Sequence, residues 1–358
     1  MSYNSYRRKT RAIMVGGVGI GGEYPISVQS MTNTDTHDAE ATYRQVKALA
    51  DAGCDIVRIT APDEESVKTF TELKSRKITV PLVADIHFNY KIAVLAAQAG
   101  VDKIRINPGN IGSKEKIAEV VRACKERRVP IRIGVNSGSL EESILKKYGS
   151  PTAEALAESA LYHASLLEDL DFHNIAISVK SSDVMTMIRA NRILAERTSY
   201  PLHLGVTEAG ARERALVKSS IGVGALLSEG FGDTVRVSLT DDPVTEVESA
   251  KMILASLGLT EKGGMDIVSC PTCGRTKIDL IGISAEFERR VKAEGLDKKN
   301  LKVALMGCAV NGPGEAREAD IGIAGGDGVG LLFKRGEIIR KIDEKSLLDE
   351  LIAEIRKM

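Results

Sequence analysis

From residue 26 to about residue 257, short apolar runs recur at regular intervals, each followed by a longer stretch whose apolar residues are three and four apart. The short runs predict strands and the longer stretches amphipathic helices. Eight strands are expected: ISVQSM (26–31), DIVRIT (55–60), PLVADI (81–86), DKIRIN (102–107), PIRIGVN (130–136), NIAISVK (174–180), PLHLGVT (201–207) and TVRVSL (234–239). Helices such as 38–52, 63–76, 151–170 and 243–257 carry Asp or Pro at their starts, where capping favours them. Strict alternation of strand and helix calls for parallel strands joined by helical crossovers. Eight such units in ~250 residues have the count and size of a (β/α)8 barrel. Periodicity does not show whether the sheet closes, so a doubly wound open sheet is the alternative.

Two segments lie outside this rhythm. Gly17-Val18-Gly19-Ile20-Gly21-Gly22 has the form GxGxxG, but a strand follows where a nucleotide-binding helix would open. The segment is therefore expected to form a glycine-rich hairpin that plugs the barrel floor. After Leu257 the linker GLTEKGG introduces a second domain, placing the boundary at 1–258 and 259–358. The second part predicts a helix at 279–294, strands at 302–306 and 321–324, a hairpin through 328–342 turning near Gly336, and a closing helix from about residue 344.

Composition narrows the functional classes. Hydrophobic residues make up 43% and charged residues 27% of the 358, as in a globular enzyme. Tryptophan is absent and aromatics total 4%, too few for a base-stacking platform. The 49 basic and 49 acidic residues cancel, and they balance within each of the two segments as well, so nucleic acid is not an expected partner. The N-terminus does not read as a secretory leader and no apolar run reaches the ~18 residues of a membrane span, so a cytoplasmic protein is expected.

Against this neutral background the strand ends are unusual. Every second strand residue points the same way, so residues of one parity converge at the mouth of a barrel. Those residues are Arg58 and Thr60, Asp85 with His87 just beyond it, Arg105 and Asn107, Arg132 and Asn136, Lys180, Glu208, and Arg236 with Ser238. Arg236 reads equally as facing inward or outward. Buried cations without partners cost several kcal/mol each, so the fold should retain them only if carboxylates or a bound anion neutralise them. A structural ion network is the bland alternative. Their position at the active-site end of a barrel favours a multiply charged small anion such as phosphate or diphosphate. His87 reads either as a contact or as a supporting group, and His37, at the same rim, has a weaker claim.

The second domain holds Cys270 and Cys273 in a CxxC knuckle and Cys308 in GCAVNGPGE. All five histidines lie at or before His203, so a complete four-ligand zinc set of Cys and His is missing. Cys54 and Cys124 read as buried apolar residues of the barrel. Glu315, behind a glycine-proline turn, is an available oxygen ligand, weak toward soft iron. Three thiolates with a vacancy suit a 4Fe-4S cluster that leaves one iron open to chemistry; zinc held by three thiolates and a carboxylate is the alternative. A phosphate-binding transferase barrel of the pterin type with a zinc knuckle, and a zinc-ribbon RNA-binding scaffold, are the rival functions.

Seven segments in order, PISVQSMTNTDT, PLVADIHFNY, IRINPGNIG, IRIGVNSGSL, LGVTEAG, SCPTCGRT and GCAVNGPGEA, resemble the 4-hydroxy-3-methylbut-2-enyl diphosphate synthase family, in its two-domain bacterial form, over essentially the whole chain. The resemblance implies a barrel similar to dihydropteroate synthase and a small α+β domain similar to the cluster modules of sulfite and nitrite reductases. It implies reductive ring opening of 2-C-methyl-D-erythritol 2,4-cyclodiphosphate, with electrons from flavodoxin or ferredoxin. By position in the motifs, Cys270, Cys273, Cys308 and Glu315 would hold a 4Fe-4S cluster, and Arg58, Arg105, Arg132 and Lys180 would grip the diphosphate. Asp85, Asn136 and Glu208 would contact the carbon skeleton or move protons. A head-to-tail homodimer, each barrel capped by its partner's cluster domain, is also implied.

Overall fold

The computed structural model describes residues 5–260, 264–308 and 316–358. The chain forms two compact units, Met1–Leu259 and Thr260–Met358.

The first unit opens with a hairpin of β1 (Ile13–Val15) and β2 (Val18–Ile20), turning at Gly16, whose φ of +55° suits glycine. Ile13, Val15 and Ile20 pack on Ile56, Val83 and Ala176 near the starts of three barrel strands, so the glycine-rich segment closes the barrel floor. Eight parallel strands follow: β3 (Ser27–Met31), β4 (Ile56–Thr60), β5 (Leu82–Asp85), β6 (Lys103–Ile106), β7 (Ile131–Asn136), β8 (Ile175–Lys180), β9 (His203–Leu204) and β10 (Thr234–Val235). β3 pairs with both β4 and β10, and a parallel bridge between Ile177 and Leu202 joins β8 to the approach of β9. The ring closes, which removes the open-sheet alternative.

Outward-facing strand residues such as Ile59, Ile104, Ile133 and Ile177 pack with Phe70, Val120 and Leu194 of the surrounding helices in one apolar core. Asp38, Asp183 and Asp242 cap their helices by accepting hydrogen bonds from the N–H groups of Ala41, Thr186 and Val244. The helix expected from residue 63 begins instead at Val67, because Asp63 and Ser66 bond each other in a turn. β9 and β10 are much shorter than the sequence predicts. Their ladder ends at Gly205, where an added Cβ would strike the Arg236 carbonyl and crowd the Lys180 ammonium.

The second unit is a five-stranded sheet ordered β11 (Asp266–Ser269), β12 (Lys302–Met306), β13 (Ile321–Ala324), β14 (Val329–Lys334) and β15 (Glu337–Asp343). The first three are parallel and the last two run antiparallel to their neighbours. Helices Leu280–Ala293 and Leu347–Lys357 cover one face through Phe287, Val291, Leu351 and Ile355. β11 has no counterpart in the sequence prediction; its DIVS run is short and only half-buried.

Candidate active site

Because barrel strands tilt, side chains at one height come from alternate strands. The register stacks the inner face in layers. Ile56, Lys103, Ala176 and Thr234 lie lowest; then come Gln29, Val83, Arg132 and His203; then Arg58, Arg105, Ser178 and Arg236; then Met31, Asp85, Gly134 and Gly205. Above them a cavity of about 230 Å³ reaches down to Arg132. Its wall gathers Arg58, Arg105, Arg132, Lys180 and Arg236 with Asp85, together with Asn136 and His87.

Two carboxylates serve these five cations. Arg105 Nη1 donates to Asp85 Oδ1 at 3.0 Å, and Arg58 Nε lies 3.7 Å from Asp85 Oδ2. Arg236 faces inward and makes a two-point pair with Glu246, Nε to Oε2 and Nη2 to Oε1, each at 3.2 Å. Glu246 is on the helix Pro243–Ser256 and also accepts from Ser30 Oγ. Neutral acceptors supplement them: Met31 Sδ lies 2.9 Å from Arg58 Nη2, and the Gly134 carbonyl 3.3 Å from Arg105 Nη2. A Cβ at residue 134 would collide with the Arg105 guanidinium, so glycine makes the room for that side chain.

Burial alone would raise the Asp85 carboxyl, yet Arg58, Arg105 and Arg132 outweigh it and hold the group well below the usual carboxylate range. An ionised carboxylate fixed between two guanidinium groups is a counter-charge and a proton acceptor, not a resting proton donor. Burial presses Arg58 down to about 10 even with Asp85 beside it. Lys103 and Lys180 are driven well below the usual lysine value, first by burial and then by surrounding arginines. Burial is the largest cause of each downward shift among these cations, and repulsion from neighbouring arginines adds to it.

Other expected residues sit differently. His87 is exposed at the rim, and its ring centroid is 6.2 Å from that of Phe88. Glu208 is exposed, does not line the cavity, and adopts a left-handed φ of +51° immediately after Thr207, which does line it. His37 turns away from the cavity. It bridges Asp35 at 2.8 Å and Asp63 at 2.9 Å, clasping two loops that follow neighbouring strands. Met31, Ser178 and Thr207 were not foreseen in the wall. Strand parity marks Met31 and Ser178, but neither carries a charge to draw attention.

In the second unit, Cys270 directly follows β11, and Cys308 lies two residues beyond β12, its parallel neighbour. Gly307 N–H donates to Cys270 Sγ at 3.2 Å, the kind of contact that stabilises thiolate character. Cys273 is exposed in a turn whose Thr276 N–H donates to the Cys273 carbonyl at 2.9 Å. Among the described residues, no three His, Cys, Asp or Glu side chains converge as a shell for a single metal ion. Glu315 and the turn before it lie outside the described residues. Cys54 and Cys124 are buried in the barrel unit, and burial pushes each thiol up to about 12.

Residues 10–251 match the GcpE TIM-barrel domain and residues 266–357 the GcpE protein C-terminal domain. The chain belongs to the GcpE family. It is 58% identical over 97% of its length to the 4-hydroxy-3-methylbut-2-en-1-yl diphosphate synthase (flavodoxin) of Clostridium perfringens, covering 98% of that protein. It is 56% identical to the enzyme of the same name from Caldanaerobacter subterraneus, covering 98% of each chain. In fold, the Bacillus subtilis spore coat polysaccharide biosynthesis protein spsE is similar with a TM-score of 0.50 and 12% identity, over 70% of this chain and 75% of that one. Among the described residues, no helix is long and apolar enough to cross a membrane.

The depressed lysines set two opposite pH trends. An unfolded lysine keeps its proton to about pH 10.4, so below that value the unfolded chain binds more protons and ligand-free stability should rise with pH. Sulfate affinity should fall over the same interval as Lys180 loses its charge. Denaturation midpoints and sulfate titrations between about pH 7 and pH 10 check both slopes; parallel trends would contradict this charge assignment.

Proposed function

We propose that this GcpE-family protein is an iron-sulfur oxidoreductase that converts 2-C-methyl-D-erythritol 2,4-cyclodiphosphate to 4-hydroxy-3-methylbut-2-enyl diphosphate. The observation that carries the reading is the cavity of five cations against two carboxylates, in a chain matching relatives of that name end to end. In the reaction a carbon–oxygen bond to a ring phosphate breaks, a hydroxyl leaves as water, and two electrons and one proton are consumed. The cyclic substrate carries two negative charges and the opened diphosphate three. A site with excess positive charge therefore favours the opened form and the transition state leading to it.

The residues of this chain divide the work. Arg58, Arg105, Arg132 and Lys180 hold the phosphate oxygens by charge-assisted hydrogen bonds, and Asp85 fixes the separation of Arg58 and Arg105. Asn136, with His87 at the rim, contacts the remaining polar groups of the substrate. Glu208 delivers the proton to the departing hydroxyl. Its place directly after Thr207, which lines the cavity, supports this role.

Cys270, Cys273 and Cys308, with Glu315 as a fourth ligand, hold a 4Fe-4S cluster. The Gly307 hydrogen bond to Cys270 supports a thiolate ligand at that position. Such a cluster supplies electrons singly and a Lewis-acidic iron. Flavodoxin, named in the relatives, or a ferredoxin would deliver the electrons to this cytoplasmic enzyme. The last barrel helix, Pro243–Ser256, runs back from the cavity end, so the chain leaves the barrel at its floor. That exit supports a head-to-tail homodimer in which each cavity faces the partner's cluster domain.

With the reconstituted holoenzyme and a chemical reductant, the cyclodiphosphate should be turned over and metal analysis should find iron. Arg132→Met should lower kcat/KM roughly tenfold to hundredfold, the worth of one charged hydrogen bond, with the visible cluster absorbance intact. Glu208→Gln should lower kcat while leaving KM unchanged. A colourless protein with stoichiometric zinc would overturn the reading. For the dimer, mixing Arg132→Met subunits with Cys308→Ser subunits should restore about a quarter of wild-type activity, because half the dimers are hybrids and each hybrid has one intact site. No recovery after subunit exchange would contradict a shared site.

A further inference from the structure

In the layer beneath the arginine ring, Arg132 alone has an assigned part in this chemistry. The layer holds Gln29, Val83, Arg132 and His203, where barrels of this class usually place branched apolar residues. Gln29 and Arg132 are each 1% exposed and His203 is 2% exposed. Among the described residues, Gln29 Oε1 and Nε2, Arg132 Nε and Nη2, and both ring nitrogens of His203 have no hydrogen-bond partner. Six such atoms share one layer, and a buried polar group left unpaired is costly, so the layer calls for bridging partners.

The charges that act on His203 are positive, and the one carboxylate near Arg132, Asp85, is engaged elsewhere. Asp85 serves Arg105 and Arg58, and Glu246 serves Arg236, so no carboxylate bonds Arg132. Burial, with Arg132, Lys180, Lys103 and Arg58 nearby, keeps the His203 imidazole unprotonated, so it offers one acceptor nitrogen. Gln29 Oε1 is the other uncharged acceptor at that height. The same device recurs one layer up, where Met31 sulfur and the Gly134 carbonyl hold Arg58 and Arg105.

We propose that Gln29 and His203 are positioning residues that hold Arg132, through internal water, with uncharged acceptors, so that its full charge remains directed at the phosphate in the cavity above. A carboxylate there would orient the guanidinium equally well but would cancel the charge that the anion needs. Internal water is the ordinary bridge in a buried polar layer whose groups make no direct contact. The inference rests on the reading of the cavity as a diphosphate site.

The test compares charge with shape, using inorganic pyrophosphate as the probe in calorimetric titration of the full chain. Gln29→Glu preserves the shape and gives Arg132 a better partner; Gln29→Met removes the acceptor without adding charge. Pyrophosphate should bind Gln29→Glu at least tenfold more weakly than wild type, and more weakly than it binds Gln29→Met. A purely structural role predicts the reverse order, with Met more damaging than Glu. His203→Glu and His203→Gln form an independent second pair, with the same order expected, and melting curves establish that each variant is folded. Binding to both glutamate variants as tight as to wild type, or tighter than to Met and Gln, would overturn the inference alone. Failure of the wild-type protein to bind pyrophosphate would overturn the cavity reading with it.

Discussion

Five cations share one end of a narrow barrel with two carboxylates, and nearly everything else about the first unit can be read as the means of tolerating that imbalance. A buried ion without a partner costs several kcal/mol even after relaxation. The outward strand faces and the helices around them form a continuous apolar core that offsets this cost. The N-terminal hairpin closes the floor with Ile13, Val15 and Ile20. Gly134 and Gly205 give up their side chains so that Arg105 and Lys180 can lie flat against the wall. The two carboxylates are placed to separate guanidinium groups without neutralising all of them.

This arrangement also poises the cavity for an anion. Lysines held below their ordinary pKa and guanidinium groups bound to sulfur or carbonyl oxygen are both relieved by an incoming anion. The attraction is local, since the chain as a whole carries no net charge. It is therefore strongest within a few ångströms, where Coulomb energies in a poorly solvated site are largest. Substrate selection by such a site depends on two phosphates entering together, and the opened diphosphate exploits it more fully than the closed ring.

Much of the barrel was legible because its strands obey two rules at once: one parity is continuously apolar and the other is interrupted by charge. Arg58, Arg105, Arg132 and Lys180 were visible for that reason. The inward turn of Arg236 was not, because it is set by Glu246, ten residues later on a helix, and by no local pattern. His37 shared the rim position of a functional residue but is claimed by Asp35 and Asp63, a pairing that depends on loop geometry. The short extents of β9 and β10 follow from the close approach at Gly205, a three-dimensional contact. In the second unit, β11 escaped notice because four half-buried residues carry little periodicity. The cysteines could be read as a set from spacing, while the CxxC knuckle said nothing of the Gly307 hydrogen bond to Cys270.

The account stands on where the phosphates sit. A crystal structure of the holoenzyme with the diphosphate product bound would test this most directly. It should show phosphate oxygens accepting hydrogen bonds from Arg132 and Lys180, with Asp85 still joined to Arg105. A product lodged outside the barrel mouth, with those two side chains turned from it, would contradict the central claim.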